Sequence, residues 1–242
     1  MEAFLLQLIP ELASTWGNVT DEEIDRVEAK AGRTLPTFYR WFLGRFGKTM
    51  GPLAYRDLDF SCAGILRAYA EGWVEEDPRY LLIAYSHDPA YPAHVFYDLD
   101  CPVREDALVV SGEDLDEEEL DARFETLREM IGWGALFTHG VRKQPQRCAG
   151  MFRSPQGDAM PQLRPALESL GFTSPIATGR SCGVFRGPKM DLVSKSTPEQ
   201  DPELQAFDFG AVNATVMRRA LGEVVEATEL ELKILRWDPA LG

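Results

Sequence analysis

The sequence predicts an α+β protein in which a sheet flanked by helices, residues 1–140, precedes a second small α+β unit, residues 141–242. Two observations lead to this prediction. Apolar residues recur at helical spacing through the first 50 positions, and short β-favouring runs follow them. After glycines at positions 132, 134 and 140, strand and helix patterns recur in a slightly basic segment. We therefore place the boundary between the units at this glycine-containing segment.

Three helices are predicted before residue 50. The first, within residues 1–14, is shortened or kinked by Pro10, because proline lacks the amide hydrogen that a helix interior needs. The second begins at a capping box, in which the Thr20 hydroxyl accepts the Glu23 amide and the Glu23 carboxylate reaches back to Thr20. Gly32 ends this helix. The third helix carries an aromatic stripe of Phe38, Trp41, Phe42 and Phe46.

Strands and an acidic helix are predicted next, after a helix that ends at Gly72. Runs 80–86 and 94–99 favour adjacent antiparallel strands, and 107–110 favours a third strand. A helix is then predicted from the acidic segment onward, with an apolar face directed at the strands. That face consists of Leu120, Phe124, Leu127 and Ile131. A second row at the same offsets consists of Glu118, Asp121, Glu125 and Glu129.

The second unit is predicted to contain strands and two helices. The predicted strands are 147–153, a hairpin of 182–185 with 190–193, and 230–234. The predicted helices cover 163–170, closed by Gly171, and 217–224. Residues 194–205 are predicted to form a polar loop. The alternation of apolar and charged residues over 229–234 indicates a half-buried strand.

Charge restricts the classes of partner. The 242 residues include 39 acidic and 25 basic side chains, a formal net charge of −14. Residues 51–130 alone hold 20 acidic and 6 basic side chains. A chain without a basic surface does not bind nucleic acid through its phosphates. A basic protein is the partner that this charge favours.

Cysteine usage and hydropathy indicate a soluble protein of the cytoplasm. The four cysteines, at 62, 101, 148 and 182, have no metal-binding spacing and are expected to be free thiols. An extracellular protein with two disulfides is the less favoured alternative. The N-terminus lacks the basic region of a signal peptide, and no segment approaches the roughly 18 apolar residues of a membrane span. No membrane partner is expected.

No catalytic, metal or cofactor motif is evident, so we predict that the protein is not an enzyme. His87 and His94 flank a proline-containing loop, but their spacing fits no standard ligand pattern, and an ordinary polar turn is favoured. The cysteines are interpreted as small packed thiols. Trp73 and Trp133 lie outside the helical stripes. Packing outside the main core is slightly favoured for both, and they are candidate interface anchors if they are exposed, because tryptophan is enriched at binding hot spots.

The order of elements resembles the SUKH superfamily, which includes yeast cell-wall-assembly regulators and many bacterial immunity proteins. The resemblance covers about residues 18–132 and implies a mixed sheet flanked by helices. Its N-terminal matching residues are Thr20, Glu23, Ile24, Leu35, Pro36, Phe38, Tyr39, Phe42, Leu43 and Gly47. Its later matching residues are Leu82, Ile83, Phe96, Tyr97, Asp98, Leu99, Leu120 and Phe124. The chain departs from the family between the two strands, where residues 87–94 replace a glycine-rich turn.

The resemblance implies a binding module, namely an immunity protein that contacts and inhibits a cognate toxin. The toxin is expected to be a basic protein that attacks nucleic acid. The row Glu118, Asp121, Glu125 and Glu129 is then the candidate partner-binding surface, by mimicry of a phosphate backbone. Three alternatives stay open. The row is also consistent with a simple solvated helix face. The protein is also consistent with a regulatory or scaffold module that recruits a cellular protein. An uncharacterised hydrolase is the third alternative, and no visible catalytic set supports it.

Overall fold

The computed structural model confirms the α+β class. It describes residues 1–17, 19–88, 90, 92–115, 120–198 and 202–239. The helices are α1 Glu2–Leu8, α2 Asp21–Ala31, α3 Thr37–Phe46, α4 Cys62–Ala70, α5 Leu127–His139, α6 Met160–Ser169 and α7 Ala214–Ala227. The strands are β1 Leu58–Asp59, β2 Tyr80–Ser86, β3 His94–Val103, β4 Asp106–Gly112, β5 Asp121–Phe124, β6 Gln146–Arg153, β7 Cys182–Gly187, β8 Met190–Lys195, β9 Leu204–Ala211 and β10 Glu231–Asp238.

The chain forms two compact units. One is Ile9–Arg128, and the other combines Met1–Leu8 with Glu129–Gly242. The sequence-based division at residue 140 differs from this one in two places: the first helix and most of α5 belong to the second unit. The first unit contains 25 acidic and 12 basic residues, and the second contains 14 and 13. The formal charges are therefore −13 and −1, so almost all of the net charge lies in one unit.

The unit Ile9–Arg128 is built on a five-stranded sheet in the order β1-β2-β3-β4-β5. Every pairing described in it is antiparallel, so the predicted mixed sheet is wrong. The helices pack on it through aromatic side chains. Tyr39 of α3 meets Tyr97 of β3 edge to face at 5.1 Å, and the Leu82 amide of β2 donates to the Tyr69 hydroxyl of α4.

The structure confirms the predicted features of this unit that depend on neighbouring residues, namely a helix cap, a helix end and a strand pair. The Thr20–Glu23 capping box is present in both directions, and Gly32 ends α2 in the left-handed conformation. Runs 80–86 and 94–99 pair as antiparallel strands, and the third run lies in β4. Pro10 separates α1 from a short 3₁₀ turn. Residues next to these elements determine where they begin and end.

The helix predicted from the acidic segment onward is wrong over residues 121–124, whereas its later part, with Leu127 and Ile131, lies in α5. Asp121–Phe124 is strand β5, which pairs with β4 through Val110 and Ser111, and α5 begins only at Leu127. Phe124 reaches the core from β5, so its apolar character does not require a helix. Pairing with the free edge of β4 satisfies the backbone of residues 121–124, and helical spacing contained no information about that edge.

The second unit contains another antiparallel five-stranded sheet, in the order β10-β6-β9-β8-β7. The hairpin, both helices and the last strand agree with the sequence prediction. Strand β9, at the centre of the sheet, was not predicted. Its Phe207 and Phe209 share one core cluster with Leu163 of α6 and Met217 of α7. Among the described residues, no helix combines the length and the apolar character that crossing a membrane requires.

Candidate binding groove

A groove of about 550 Å³ lies in the unit Ile9–Arg128. It is lined by the loop after α4, residues 72–77, by residues 113–115 after β4, and by Phe96 of β3. We call it the acidic groove. Five of its ten lining residues carry carboxylates and none of the lining residues described is basic. The carboxylates belong to Glu75, Glu76, Asp77, Glu113 and Asp114.

Local sequence fixes the 72–77 loop. Gly72 ends the helical segment with φ of 69°, a left-handed conformation that glycine adopts without strain. The Trp73 amide then donates to the Ala68 carbonyl at 2.9 Å. At the other end, the Asp77 carboxylate accepts the amides of Arg79 and Tyr80 at 2.7 and 3.0 Å, which starts β2. The loop is therefore held at both ends.

The charges of the groove are only partly balanced. Glu76 pairs with Lys30 at 2.5 Å, and Asp77 is used by the backbone amides. Glu75 and Glu113 are exposed, and neither forms an ion pair with any residue in the described part of the chain. Carboxylates that share one groove without bases produce a negative potential that attracts cations. Glu75 and Glu113 are thus the carboxylates open to a partner.

An exposed indole lies at this groove. Trp73 is 49% exposed, which is unusual for tryptophan. It is the first ring of an aromatic row: Trp73 lies 5.2 Å from Tyr85, Tyr85 stacks on His94 at 4.6 Å, and His94 meets Phe96 edge to face at 6.3 Å. The row connects the surface to a buried ring that also lines the groove, so Trp73 is held by packing.

His94 is part of this row and serves as a hydrogen-bond acceptor. Its Nδ1 accepts the Ser86 amide at 3.0 Å, and burial lowers the pKa of the imidazole, as does nearby His87. The ring is therefore neutral at physiological pH and stacks on Tyr85 without a charge. No group of three metal-ligand side chains occurs within the described ranges. Because Nδ1 is already engaged, this histidine retains only Nε2 for another contact.

The four acids predicted to form a partner-binding row do not form one helix face. Glu118 lies outside the described residues. Asp121 is exposed on β5, and half-buried Glu125 lies 3.9 Å from Arg104. Glu129 is fully buried in α5, where its carboxylate accepts the Gly179 amide at 2.6 Å. The predicted row depended on a helix that begins only at Leu127 in the structure, so Asp121, Glu125 and Glu129 are divided between a strand, a loop and a buried helix position.

The cysteines have the environment of packed thiols. Cys62, Cys148 and Cys182 are buried, and all four are free. Burial raises the pKa of Cys62 to about 11 and that of Cys148 to about 12. Both stay protonated at neutral pH, and the thiol is a weaker nucleophile than the thiolate.

The two tryptophans singled out in the sequence differ in exposure. Trp133 is half-buried in α5 and stacks on Phe137 at 5.1 Å. Trp73 meets the condition set for an interface anchor. Glu75 and Glu113 could not be singled out from the sequence, although both fall in the acid-rich segment 51–130, because two loops distant in the chain converge on the groove.

Comparison of the chain with family models, curated proteins and solved structures gives no match. The resemblance to the SUKH superfamily stays a prediction.

Proposed function

We propose that the protein binds a basic partner protein through the acidic groove, and that it is an immunity protein whose partner is a cognate toxin. The observation that carries the binding proposal is the groove itself, whose described lining residues include five carboxylates, an exposed tryptophan and no basic side chain. The toxin as partner comes from the SUKH resemblance of residues 18–132. The proposal also places the protein in the cytoplasm, in keeping with its four free cysteines.

In this proposal the negative charge of the unit speeds association, and the exposed Trp73 slows dissociation. The formal charge of −13 on the unit Ile9–Arg128 attracts a basic protein over distances of about a Debye length, roughly 8 Å at physiological salt. After docking, Glu75 and Glu113 meet basic side chains of the partner. Burial of Trp73 then adds apolar contact and slows dissociation. A toxin covered in this way loses access to its substrate if the covered surface is its basic substrate-binding face.

The partner is sought by pull-down with the full chain and among the products of neighbouring genes, and its association is then measured at about 50 mM and about 300 mM salt. The double variant Glu75→Lys and Glu113→Lys is expected to slow association by about tenfold at low salt. A matched control, Glu226→Lys and Glu231→Lys, changes the charge equally at exposed positions of the other unit. It should have a much smaller effect.

Protection of cells against the toxin is the second measurement. The groove variant is expected to lose protection at toxin doses that the control variant survives. Equal binding and equal protection by both variants would reject the groove as the binding surface. Tight binding without protection would favour a regulatory or scaffold module.

A further inference from the structure

The geometry points to an arginine side chain of the partner as the group that the acidic groove recognises, with Trp73 as its stacking surface. This inference rests on the proposed function, since it names what the groove binds. Two features of the groove carry it together: an indole that is 49% exposed, and the carboxylates of Glu75 and Glu113, which have no basic partner within the described residues.

Arginine fits this combination better than lysine. A guanidinium is planar and weakly hydrated, so it stacks on an aromatic face while its N–H groups donate to carboxylates at its edge. Its fork of donors also matches a carboxylate in two parallel hydrogen bonds. An ammonium is a compact, strongly hydrated charge that gains less from the indole. The groove offers an aromatic face and carboxylates, and a guanidinium interacts with both.

The same unit already contains this arrangement. Arg79 donates to Asp98 through Nε and Nη2 at 3.0 and 2.8 Å, and its guanidinium carbon lies 4.8 Å from the centre of the Tyr80 ring. One arginine there satisfies a carboxylate and an aromatic ring together. The acidic groove presents the same acceptors at the surface, without a resident arginine hydrogen-bonded to Glu75 or Glu113 in the described residues.

Arg67 shows that the Trp73 ring accepts a guanidinium. Its guanidinium carbon lies 5.9 Å from the ring centre, and the side chain is exposed on α4. At this distance the contact is at the outer limit for a cation–π interaction. A partner arginine therefore competes with a weak internal one. The variant Arg67→Gln removes the competing cation and is expected to raise affinity for an arginine peptide by about threefold.

The test titrates the full chain with three synthetic peptides, acetyl-Gly-Arg-Gly-Arg-Gly-amide and its lysine and citrulline counterparts. The readout is the indole N–H signal of Trp73 in nitrogen-15 correlation spectra, assigned with Trp73→Phe. We expect the arginine peptide to bind about tenfold more tightly than citrulline, which has the same shape without charge, and about threefold more tightly than lysine.

Two variants separate stacking from charge. Trp73→Ala should cost the arginine peptide about fivefold and abolish its preference over lysine, whereas Glu75→Gln with Glu113→Gln should weaken both cationic peptides. Signals of backbone amides near Gly72 report binding when the indole is absent. Thermal unfolding at an unchanged midpoint verifies that each variant is folded.

Equal affinity for arginine and lysine, or no shift at about 10 mM arginine peptide, would overturn the inference. The proposed function has a separate criterion. It fails if the Glu75 and Glu113 charge reversal leaves toxin binding unchanged, whatever the peptides do. Loss of arginine selectivity with a surviving charge-reversal effect therefore removes only the inference.

Discussion

Two residues illustrate how burial decides the role of a side chain. Glu129 and Glu75 are the same amino acid in the same acid-rich segment of the sequence, yet Glu129 is 0% exposed and hydrogen-bonded to Gly179, whereas Glu75 is exposed at the acidic groove. The first carboxylate holds its unit together and the second is open to a partner. Charge alone did not distinguish them, and the partner-binding residues predicted from the sequence included the buried one.

Removal of the Glu129 carboxylate is expected to destabilise the fold. Glu129→Ala leaves the Gly179 amide without its acceptor and should lower the free energy of unfolding by about 2–3 kcal/mol. Glu129→Gln retains an acceptor of the same length and should cost about half as much. Urea unfolding measures both. Equal stability of Glu129→Ala and the wild type would show that this hydrogen bond contributes nothing.

His94 makes stability depend on pH in one direction. Burial and His87 lower its pKa in the folded protein, so the unfolded chain, with an ordinary value near 6.5, binds the proton more tightly. The stability that comes from keeping His94 neutral in the folded protein is fully present above about pH 6.5. It is lost as the pH falls through the lowered pKa. His94→Gln should therefore flatten the loss of stability between about pH 7.5 and 5.5.

The measurement for His94 is the urea midpoint at several pH values. His139→Gln, a substitution in the other unit, is the control and should leave the slope unchanged. A slope equally steep in His94→Gln would assign the pH dependence to other groups. Glutamine keeps an acceptor for the Ser86 amide, which limits the loss of stability at neutral pH.

Elements with their signals in adjacent residues could be predicted from the sequence, and elements defined by distant partners could not. Helix α2 has its capping box and its terminal glycine within its own sequence. Strand β5 exists because β4 offers a free edge, and strand β9 because β6 and β8 lie on both sides of it. Their short sequences have no turn or cap to mark them, so periodicity misassigned the first and missed the second.

The capping box of α2 provides an element-scale prediction. Thr20→Ala removes the hydroxyl that accepts the Glu23 amide at 3.2 Å and should lower the free energy of unfolding by about 1 kcal/mol. Thr20→Ser keeps the hydroxyl and should retain most of the stability. Both are measured by urea unfolding. A Thr20→Ala variant as stable as the wild type would mean that packing of α2 makes the cap redundant.

At the scale of the whole molecule, the sequence predicted which segment of the chain is acidic, but it did not predict the groove that these acidic residues line. The acid excess in residues 51–130 agrees with a formal charge of −13 on the unit Ile9–Arg128. The groove itself requires two loops, at 72–77 and 113–115, to converge beside Trp73. Strand order does not predict that convergence, because in the antiparallel strands β2, β3 and β4 the start of β2 and the end of β4 lie at opposite ends of the sheet. Contact of the Trp73 ring with Tyr85, near the end of β2, brings the 72–77 loop toward residues 113–115. A list of acidic positions contains no such information.

The compactness of the unit Ile9–Arg128 predicts that it folds alone and retains the groove. The fragment 1–140 contains this unit and all of α5, whose Leu127 is fully buried and whose Arg128 amide donates to buried Asp106 at 3.0 Å. We expect a single cooperative urea transition and the same affinity for the arginine peptide as the full chain. The fragment 1–112 lacks β5 and this hydrogen bond, so it should not fold cooperatively. A non-cooperative 1–140 fragment would show that the two units stabilise each other, and that the groove depends on the complete chain.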